Sequence, residues 1–484
     1  MSIFFSVELK PEAREHLYVQ LYKAIRKLIE SGEILANEKL PPIRTYASAL
    51  NVNNITIINA YKLLEKHELV YKKVGSGTYV RIENNSESIV VDQRYKESQL
   101  PNQTNHTIGI NLATTTPSDY LFPVENFKSV LNEVLDRDKG GAFGYQDSRG
   151  YSALRQALCL HVLKENGIET NEDSIQILSG AQQGLDVVSK ALINYGDTVI
   201  VEAPTYTGAI ATFKSRGARI LELPLEADGP NLIKLREYIY QYRPKLLYVM
   251  PILQNPTGVV YSKEKREELI AICNKHQLMV LEDDYCSDLA FSSQHVKPLK
   301  AIDTDDLVIY IKSFSKAVMP GLRLGFMLTP ERLKQQVIMA KQSTDITTSG
   351  LTQRAFERFI THGYYETQKN MMHDTFKNRY QVASEAIKKY LAPHCEVMCF
   401  EGGFNFWLKL RKFSSSKTLY EQLKIRGVLI TSGDAFYASK VESPYFRITI
   451  AGVEADELTF GIKMIGKVLD EMNTETTDQF KPIL

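Results

Sequence analysis

At 484 residues the chain is too long for one hydrophobic core, which implies two or three domains. Its formal net charge of +1 excludes a polycation, so any contact with nucleic acid has to rest on a local patch. Glu8 and Lys10 come too early for a secretory segment, no apolar run is long enough to span a bilayer, and Cys159, Cys273, Cys286, Cys395 and Cys399 form no Cys-x-x-Cys pair. These features point to a cytoplasmic protein with reduced thiols.

In chain order, Leu17, Leu21, Ile25, Leu28 and Ile29 recur at three- and four-residue spacing and predict an amphipathic helix over about 16–30. Gly32 ends it. Leu40-Pro41-Pro42 forces an extended entry to a short helix at about 43–50. Asn51-Val52-Asn53 makes a tight turn, and a further helix starts near Asn54 with Ile57, Tyr61 and Leu64 on one stripe. Leu69-Val70-Tyr71 and Thr78-Tyr79-Val80 flank Gly75-Ser76-Gly77, the pattern of a β-hairpin. Helix, short helix, turn, helix and hairpin is the order of a winged helix-turn-helix, placed at residues 10–82.

Seven bases and two acids lie between Lys39 and Arg81, which concentrates positive potential where phosphates would sit. Arg44 opens the short helix within reach of a phosphate or a base, and Lys62 adds charge further along the second helix. Asn53, Asn54, Thr56 and Asn59 lie at the start of the candidate recognition helix. Asparagine can bond adenine through both amide atoms and threonine can touch the thymine methyl. Gly77 lets the wing approach a minor groove closely. The stretch from Leu40-Pro41-Pro42-Ile43-Arg44 to Gly77-Thr78-Tyr79-Val80 resembles the GntR-family winged helix. That family usually carries a Ser-Arg pair at the head of the recognition helix; here the places hold Asn53 and Asn54.

Residues 83–107 are rich in Asn, Ser, Gln and charge and are expected to be a linker. Beyond it, apolar β-rich runs at 175–178, 198–201, 246–250, 279–281 and 308–311 alternate with helical stretches such as 182–193 and 263–276. That alternation predicts a mainly parallel sheet covered by helices on both faces. The expected large lobe is 108–363, followed by a smaller α+β lobe from Tyr364 to Leu484.

Five polar motifs follow apolar strands in this second part: Ser179-Gly180-Ala181-Gln182, Glu202-Ala203-Pro204-Thr205-Tyr206, Asn255-Pro256-Thr257-Gly258, Glu282-Asp283-Asp284-Tyr285 and Ser313-Phe314-Ser315-Lys316. Ligand groups at the carboxyl ends of parallel strands are the geometry expected of an open α/β sheet. No His or Cys cluster accompanies Asp283 and Asp284, so no metal site is indicated. Together with Pro320-Gly321-Leu322-Arg323, these motifs resemble the fold-type I aminotransferases, whose cofactor is pyridoxal 5′-phosphate. The resemblance implies that Lys316 is the Schiff-base lysine and that Asp283 pairs with the pyridine nitrogen. By the same resemblance Asn255 and Tyr285 bond the ring oxygen and Tyr206 stacks on the ring. Gly180, Ala181, Gln182, Ser313 and Arg323 hold the phosphate. Arg447 grips an effector carboxylate, and Tyr145 reaches the cofactor phosphate of a partner subunit.

A GntR-type winged helix ahead of an aminotransferase-like domain resembles the MocR/GabR subfamily of regulators. It implies a homodimer that binds double-stranded operator DNA and responds to an amino acid, an amine or the cofactor itself. The alternative is a working aminotransferase with an appended DNA-binding domain, which Gly402-Gly403-Phe404-Asn405-Phe406-Trp407 favours through its likeness to the glycine pair of true aminotransferases.

Overall fold

The computed structural model describes residues 9, 12, 16–30, 34, 38–67, 69–73, 77–80, 109–291, 296–397 and 402–478. The expected helix stop at Gly32, the wing residues Gly75 and Ser76, Arg81, the 83–107 linker and Cys399 lie outside these residues. The chain forms two compact units, Met1–Glu97 and Ser98–Leu484. Among the described residues no helix is long and apolar enough to cross a membrane.

The first unit holds α1 (Leu17–Glu30), α2 (Ile43–Ala49), α3 (Asn54–Lys66), β1 (Val70–Lys73) and β2 (Gly77–Val80). It is a winged helix-turn-helix. The helical stripes found in the sequence meet in one core, where Leu21, Ile25, Tyr46, Ile57, Ala60, Leu64 and Val80 are buried. α3 starts sharply because the Asn53 side chain caps it, accepting from the Ile55 amide at 2.9 Å. The Tyr61 hydroxyl donates to the Pro41 carbonyl at 2.8 Å, which fixes α3 against the entry of α2. β1 and β2 pair antiparallel from Val70↔Val80 to Lys73↔Gly77. The segment before α2 joins them, with Leu40 N donating to Thr78 O and Val80 N to Glu38 O, each at 2.9 Å.

The second unit opens with β3 (Ile110–Asn111) and then builds one eight-stranded sheet. Its strands are β4 (Ile175–Leu178), β5 (Thr198–Ala203), β6 (Arg219–Glu226), β7 (Gly229–Pro230), β8 (Leu246–Val249), β9 (Met279–Asp284), β10 (Val308–Ser313) and β11 (Gly325–Leu328), in the order β4-β11-β10-β9-β8-β5-β6-β7. The run from β10 through β6 is parallel, whereas β11 lies antiparallel between β10 and β4, and β7 is antiparallel to β6. Successive strand residues point to opposite faces. Val199, Val201, Tyr248, Leu281 and Ile309 therefore pack with the helix Ala181–Leu192, while Ile200, Leu247, Val249 and Val280 pack with the helices Leu232–Tyr242 and Lys263–His276.

The smaller lobe contains the long helices Tyr364–Tyr390 and Ala455–Asp478 with β12 (Cys395–Val397), β13 (Asn405–Leu410), β15 (Thr431–Ser432) and β16 (Tyr445–Thr449) in the order β12-β13-β16-β15. The expected lobe boundary needs one correction. β3 pairs in parallel with β14 (Val428–Leu429), and Leu112 is buried in the core of the small lobe. The start of the unit therefore belongs to the small lobe. The sequence assigned it to the large lobe because that pairing joins segments more than 300 residues apart, for which the local pattern carries no signal.

Because Leu64 is fully buried where α3 meets the rest of the first core, Leu64→Ala should cost about 2–5 kcal/mol there. Hydrogen exchange should show faster exchange in peptides from α1–α3, with peptides from β8–β10 unchanged. Equal acceleration in both sets would show that the two units do not carry separate cores.

Candidate functional site

The carboxyl ends of β4, β5, β8, β9 and β10 deliver five polar segments to one edge of the sheet. β9 ends in three consecutive buried carboxylates, Glu282, Asp283 and Asp284, which alternate in direction; Glu282 accepts from the Leu299 and Lys300 amides. Asp284 sits opposite Lys312 in the β9–β10 register. Its Oδ2 is 3.1 Å from the buried Lys312 ammonium and accepts from the hydroxyls of Tyr310 and Ser287. Burial alone would raise its pKa, but Lys312 and those hydroxyls hold it below the usual carboxylate value. Asp283 has no such cation. Its Oδ2 accepts from the Tyr248 hydroxyl at 2.8 Å, and its Oδ1 is buried without a partner. Burial, with the charge of Asp284, pushes its pKa up to about 7, against the opposing effect of the Tyr248 bond. An open oxygen on a buried acid is a place for a cationic N–H donor.

Lys316 follows β10. Its Nζ donates to the Thr115 carbonyl at 2.9 Å and the Thr115 hydroxyl at 3.0 Å. Burial lowers its pKa to about 8, and the positive charges of Arg447 and Arg323 push in the same direction against the influence of Cys286. Arg447, on β16, donates to Asn255 Oδ1 and the Ala113 carbonyl, each at 2.9 Å, while its Nε is buried and unpartnered. Its guanidinium carbon lies 5.0 Å from the centre of the Phe436 ring. Burial lowers its pKa to about 10, which still leaves it a cation at neutral pH. The Asn255 amide nitrogen remains free of that contact and is the donor the site offers to a ring oxygen.

The candidate anion cradle is the start of the helix Ala181–Leu192. Gly180 precedes it at φ +91°, and a Cβ there would lie 2.6 Å from Arg323 Nη2. Gly180 is thus needed both for its backbone conformation and for the arginine's approach. Arg323 donates to the Ser179 carbonyl at 2.9 Å and is exposed. The amides of Ala181 and Gln182 face the end of the helix where negative charge is favoured. The Gln182 side chain is engaged elsewhere: it donates to Thr212 Oγ1 at 2.8 Å and accepts from the Tyr206 hydroxyl at 3.2 Å. Only its backbone is open to a phosphate. Ser313 Oγ accepts from the Ser315 amide at 3.3 Å.

Two of the expected site residues already hold hydrogen bonds. The Tyr285 hydroxyl donates to the Leu253 carbonyl at 2.6 Å and accepts from Asn405 Nδ2 at 3.3 Å. Asn53 accepts the Ile55 amide as the α3 cap, which uses one lone pair of its amide oxygen. Tyr145 is 88% exposed. On the first unit Arg44, Asn54, Lys62 and Gly77 are exposed, while Thr56 and Asn59 are half-buried on α3. Lys72, counted in the basic patch, is paired with Glu65 at 2.6 Å.

Thr115, Tyr248 and Lys312 also belong to the site, and sequence reasoning missed all three. Thr115 stands in an unremarkable Thr-Thr-Thr run, and Tyr248 reads as an ordinary β-forming aromatic. Lys312 interrupts an otherwise apolar strand. A lone charge in a buried strand is the one signal that was there to be followed.

The residues present fit pyridoxal 5′-phosphate: an open buried carboxylate oxygen suits a protonated ring nitrogen, a lysine amine of lowered basicity suits the aldehyde, and the Gly180–Arg323 cradle suits the phosphate.

Residues 107–465 match the family model "Aminotransferase class I and II", and residues 17–80 match "Bacterial regulatory proteins, gntR family". The chain is 30% identical over 475 residues to the uncharacterized HTH-type transcriptional regulator YdfD of Bacillus subtilis, covering 94% of this chain and 96% of that one. It is 26% identical to the probable rhizopine catabolism regulatory protein MocR of Rhizobium meliloti, over 87% of each. The solved structure of LysN, the α-aminoadipate aminotransferase of Thermus thermophilus complexed with N-(5′-phosphopyridoxyl)-L-leucine, superposes with a TM-score of 0.71 at 28% identity. That likeness covers 79% of this chain and 97% of LysN.

Lys316 is a nucleophile only as the neutral amine. Reductive trapping of an aldehyde on it should therefore rise roughly tenfold per pH unit below its pKa and level off above about 8. Arg447→Gln removes a positive neighbour, so the inflection should move to higher pH. Mass mapping of the trapped adduct against pH checks this; a flat profile, or an inflection that moves down, contradicts the placement.

Proposed function

The chain belongs to the class I and II aminotransferase family and joins that domain to a gntR-type regulatory domain, and on that premise we propose a transcription regulator of the MocR/GabR type whose operator affinity is set by an amino acid or amine captured in a pyridoxal 5′-phosphate site. The observation that carries the cofactor reading is the buried, unpartnered Oδ1 of Asp283. The helix-turn-helix unit implies DNA binding, and paired half-sites read by a homodimer are the arrangement proposed here.

When bound, pyridoxal phosphate supplies an aldehyde that bonds amines reversibly and a protonated ring that withdraws electrons from the atom so attached. The chain's own residues do the rest. Asp283, as the anion, would hold a proton on the ring nitrogen through its open oxygen, while Tyr248 donates to the other oxygen of the carboxylate. Lys312 keeps the charge of Asp284 occupied on the other side of β9. Lys316, as the neutral amine, would be the group that bonds the aldehyde, and as a free amine it would be the base placed to take up a proton. Arg447 would receive a carboxylate, for which its Nε is unpartnered and its bonds to Asn255 and Ala113 are available to exchange.

That exchange is where a ligand becomes a signal. Arg447 and Thr431 belong to the small lobe and Asn255 to the large one, and the Thr205 amide also donates across the lobes to the Phe436 carbonyl at 2.9 Å. A carboxylate on Arg447 rewrites the bonds between lobes, which supplies the differential contacts that a two-state response requires. Transmission to the DNA-binding unit is assigned to the linker or to the partner subunit.

A working aminotransferase is the second reading, favoured by the presence together of Lys316, Asp283 and Arg447. Steady-state turnover with an added keto acid separates the two.

Asp283→Asn removes a buried charge whose partner would be the ring nitrogen, and should weaken cofactor retention by roughly 3–5 kcal/mol while leaving the absorption of the remaining bound cofactor shifted; retention equal to the parent would remove Asp283 from this role. An amino acid panel followed by cofactor absorbance, with and without operator, tests the coupling. About 1–3 kcal/mol, roughly 5–150-fold, is expected in both directions, since operator must change ligand affinity by the factor by which ligand changes operator affinity. A ligand that alters the absorbance yet leaves operator affinity, DNA bending and transcription unchanged would make the domain an enzyme that merely shares a chain with a DNA reader.

A further inference from the structure

α3 buries Ile57, Ala60, Tyr61 and Leu64, none more than 4% exposed. Each residue advances about 100° around a helix, so the positions opposite that face are 55, 59 and 62, occupied by Ile55, Asn59 and Lys62. Ile55 stands at the amino-terminal end of this stripe and is 62% exposed. The helix-turn-helix fold presents that end of its second helix to base edges. Around it the surface is polar: Asn53, which caps the helix, Asn54 and Lys62 are all exposed.

We propose that Ile55 reads sequence by packing against the 5-methyl group of a thymine in the major groove. The inference rests on the reading of the first unit as a DNA-binding domain and adds a base preference to it. In the major groove the thymine methyl is the apolar group among the donors and acceptors of the base edges. A branched aliphatic side chain on the base-facing stripe has no hydrogen-bonding use there, and that methyl is the partner its chemistry matches. The charges beside it suit duplex DNA: Arg44 on α2 and Lys62 further along the same stripe are exposed cations, placed for the phosphates on either side of the groove. Asn59, four residues on, lies beside Ile55 on the same stripe and carries the amide that an adjacent base pair would require.

The test uses the full-length protein. Duplexes enriched from a random library define the bound sequence, and each thymine of that sequence is then replaced singly by deoxyuridine, which removes only the methyl group. Affinity is measured by fluorescence anisotropy at fixed salt. One thymine position in each repeat of the site should lose about 3- to 5-fold in affinity, the scale of one buried methyl group. Ile55→Ala should bind the thymine duplex more weakly and no longer distinguish it from the deoxyuridine duplex, whereas Ile55→Val should keep the distinction. An unchanged salt dependence in Ile55→Ala would show that the phosphate contacts and the fold persist. Indifference of the parent protein to deoxyuridine at every position overturns the proposal, as does a methyl effect that survives undiminished in Ile55→Ala. Failure to enrich any duplex overturns the DNA-binding reading and the proposal with it, an outcome distinct from binding without a methyl preference.

Discussion

The alternation of side chains along β9 is the constraint on which the second unit depends. Asp283 and Asp284 are consecutive, so the strand's pleat sends them to opposite faces. The register with β10 puts Lys312 opposite Asp284 and Ile311 opposite Asp283. One carboxylate is therefore given an internal cation and the other an apolar cross-strand neighbour. Two buried carboxylates sharing a single environment would compete for protons. Here Asp284 is held anionic by Lys312, which also lies 3.2 Å from Asp288, while Asp283 keeps an unpartnered oxygen and a raised pKa. A ring cation beside Asp283 would lower that pKa again, so cofactor and carboxylate stabilise each other's charged forms. A slip of one residue in the β9–β10 register would exchange the two environments.

The same constraint explains what the sequence disclosed and what it withheld. The fully buried parallel strands read as short apolar runs, and the helix Lys263–His276 has the bounds expected from its pattern. β6 escaped notice because Arg219-Ile-Leu-Glu-Leu-Pro-Leu-Glu226 mixes charge with a proline, which is tolerable near a sheet edge and unlike its buried neighbours. β11 is hidden in the run just after Arg323, where the ligand-bearing motif dominates the pattern. Motif residues such as Lys316 and Arg447 were legible through their company in the chain. Thr115, Tyr248 and Lys312 were not, because each acts through a partner brought near by the fold: Lys316 lies 201 residues from Thr115, and Asp283 lies 35 residues from Tyr248. Hydrogen-bond commitments were equally invisible. No pattern of residue types shows that Tyr285 gives its proton to Leu253.

The first unit was legible for a different reason. Its core is built from helical stripes with local contacts, so periodicity located α1 and α3, and the Pro41-Pro42 entry with the Asn51–Asn53 turn located α2. The wing then needs only a glycine-rich turn and two short β-forming runs. What periodicity could not supply was the division of labour on α3, since a helix face is assigned to solvent or core only once the packing partners are known.

A regulator built on an enzyme-like pocket has to convert recognition of a carboxylate into a change elsewhere, and the energetics of Arg447 set the size of that conversion. In the absence of a ligand its guanidinium is not idle: it bonds a neutral amide oxygen in the large lobe, a backbone carbonyl and the Thr431 hydroxyl. A carboxylate offers charge-assisted bonds roughly twice as strong as neutral ones, so the exchange favours the ligand, yet only by the difference between the two sets. Only the part of the interaction that differs between the two lobe arrangements can bias them. A site that left its arginine unbonded would bind the same ligand more tightly and signal less, because its lobes would hold no contact for the ligand to break. On the proposed reading, the bond from Arg447 to Asn255 is one that a carboxylate ligand could exchange, and because it joins the two lobes its loss would give binding a structural consequence.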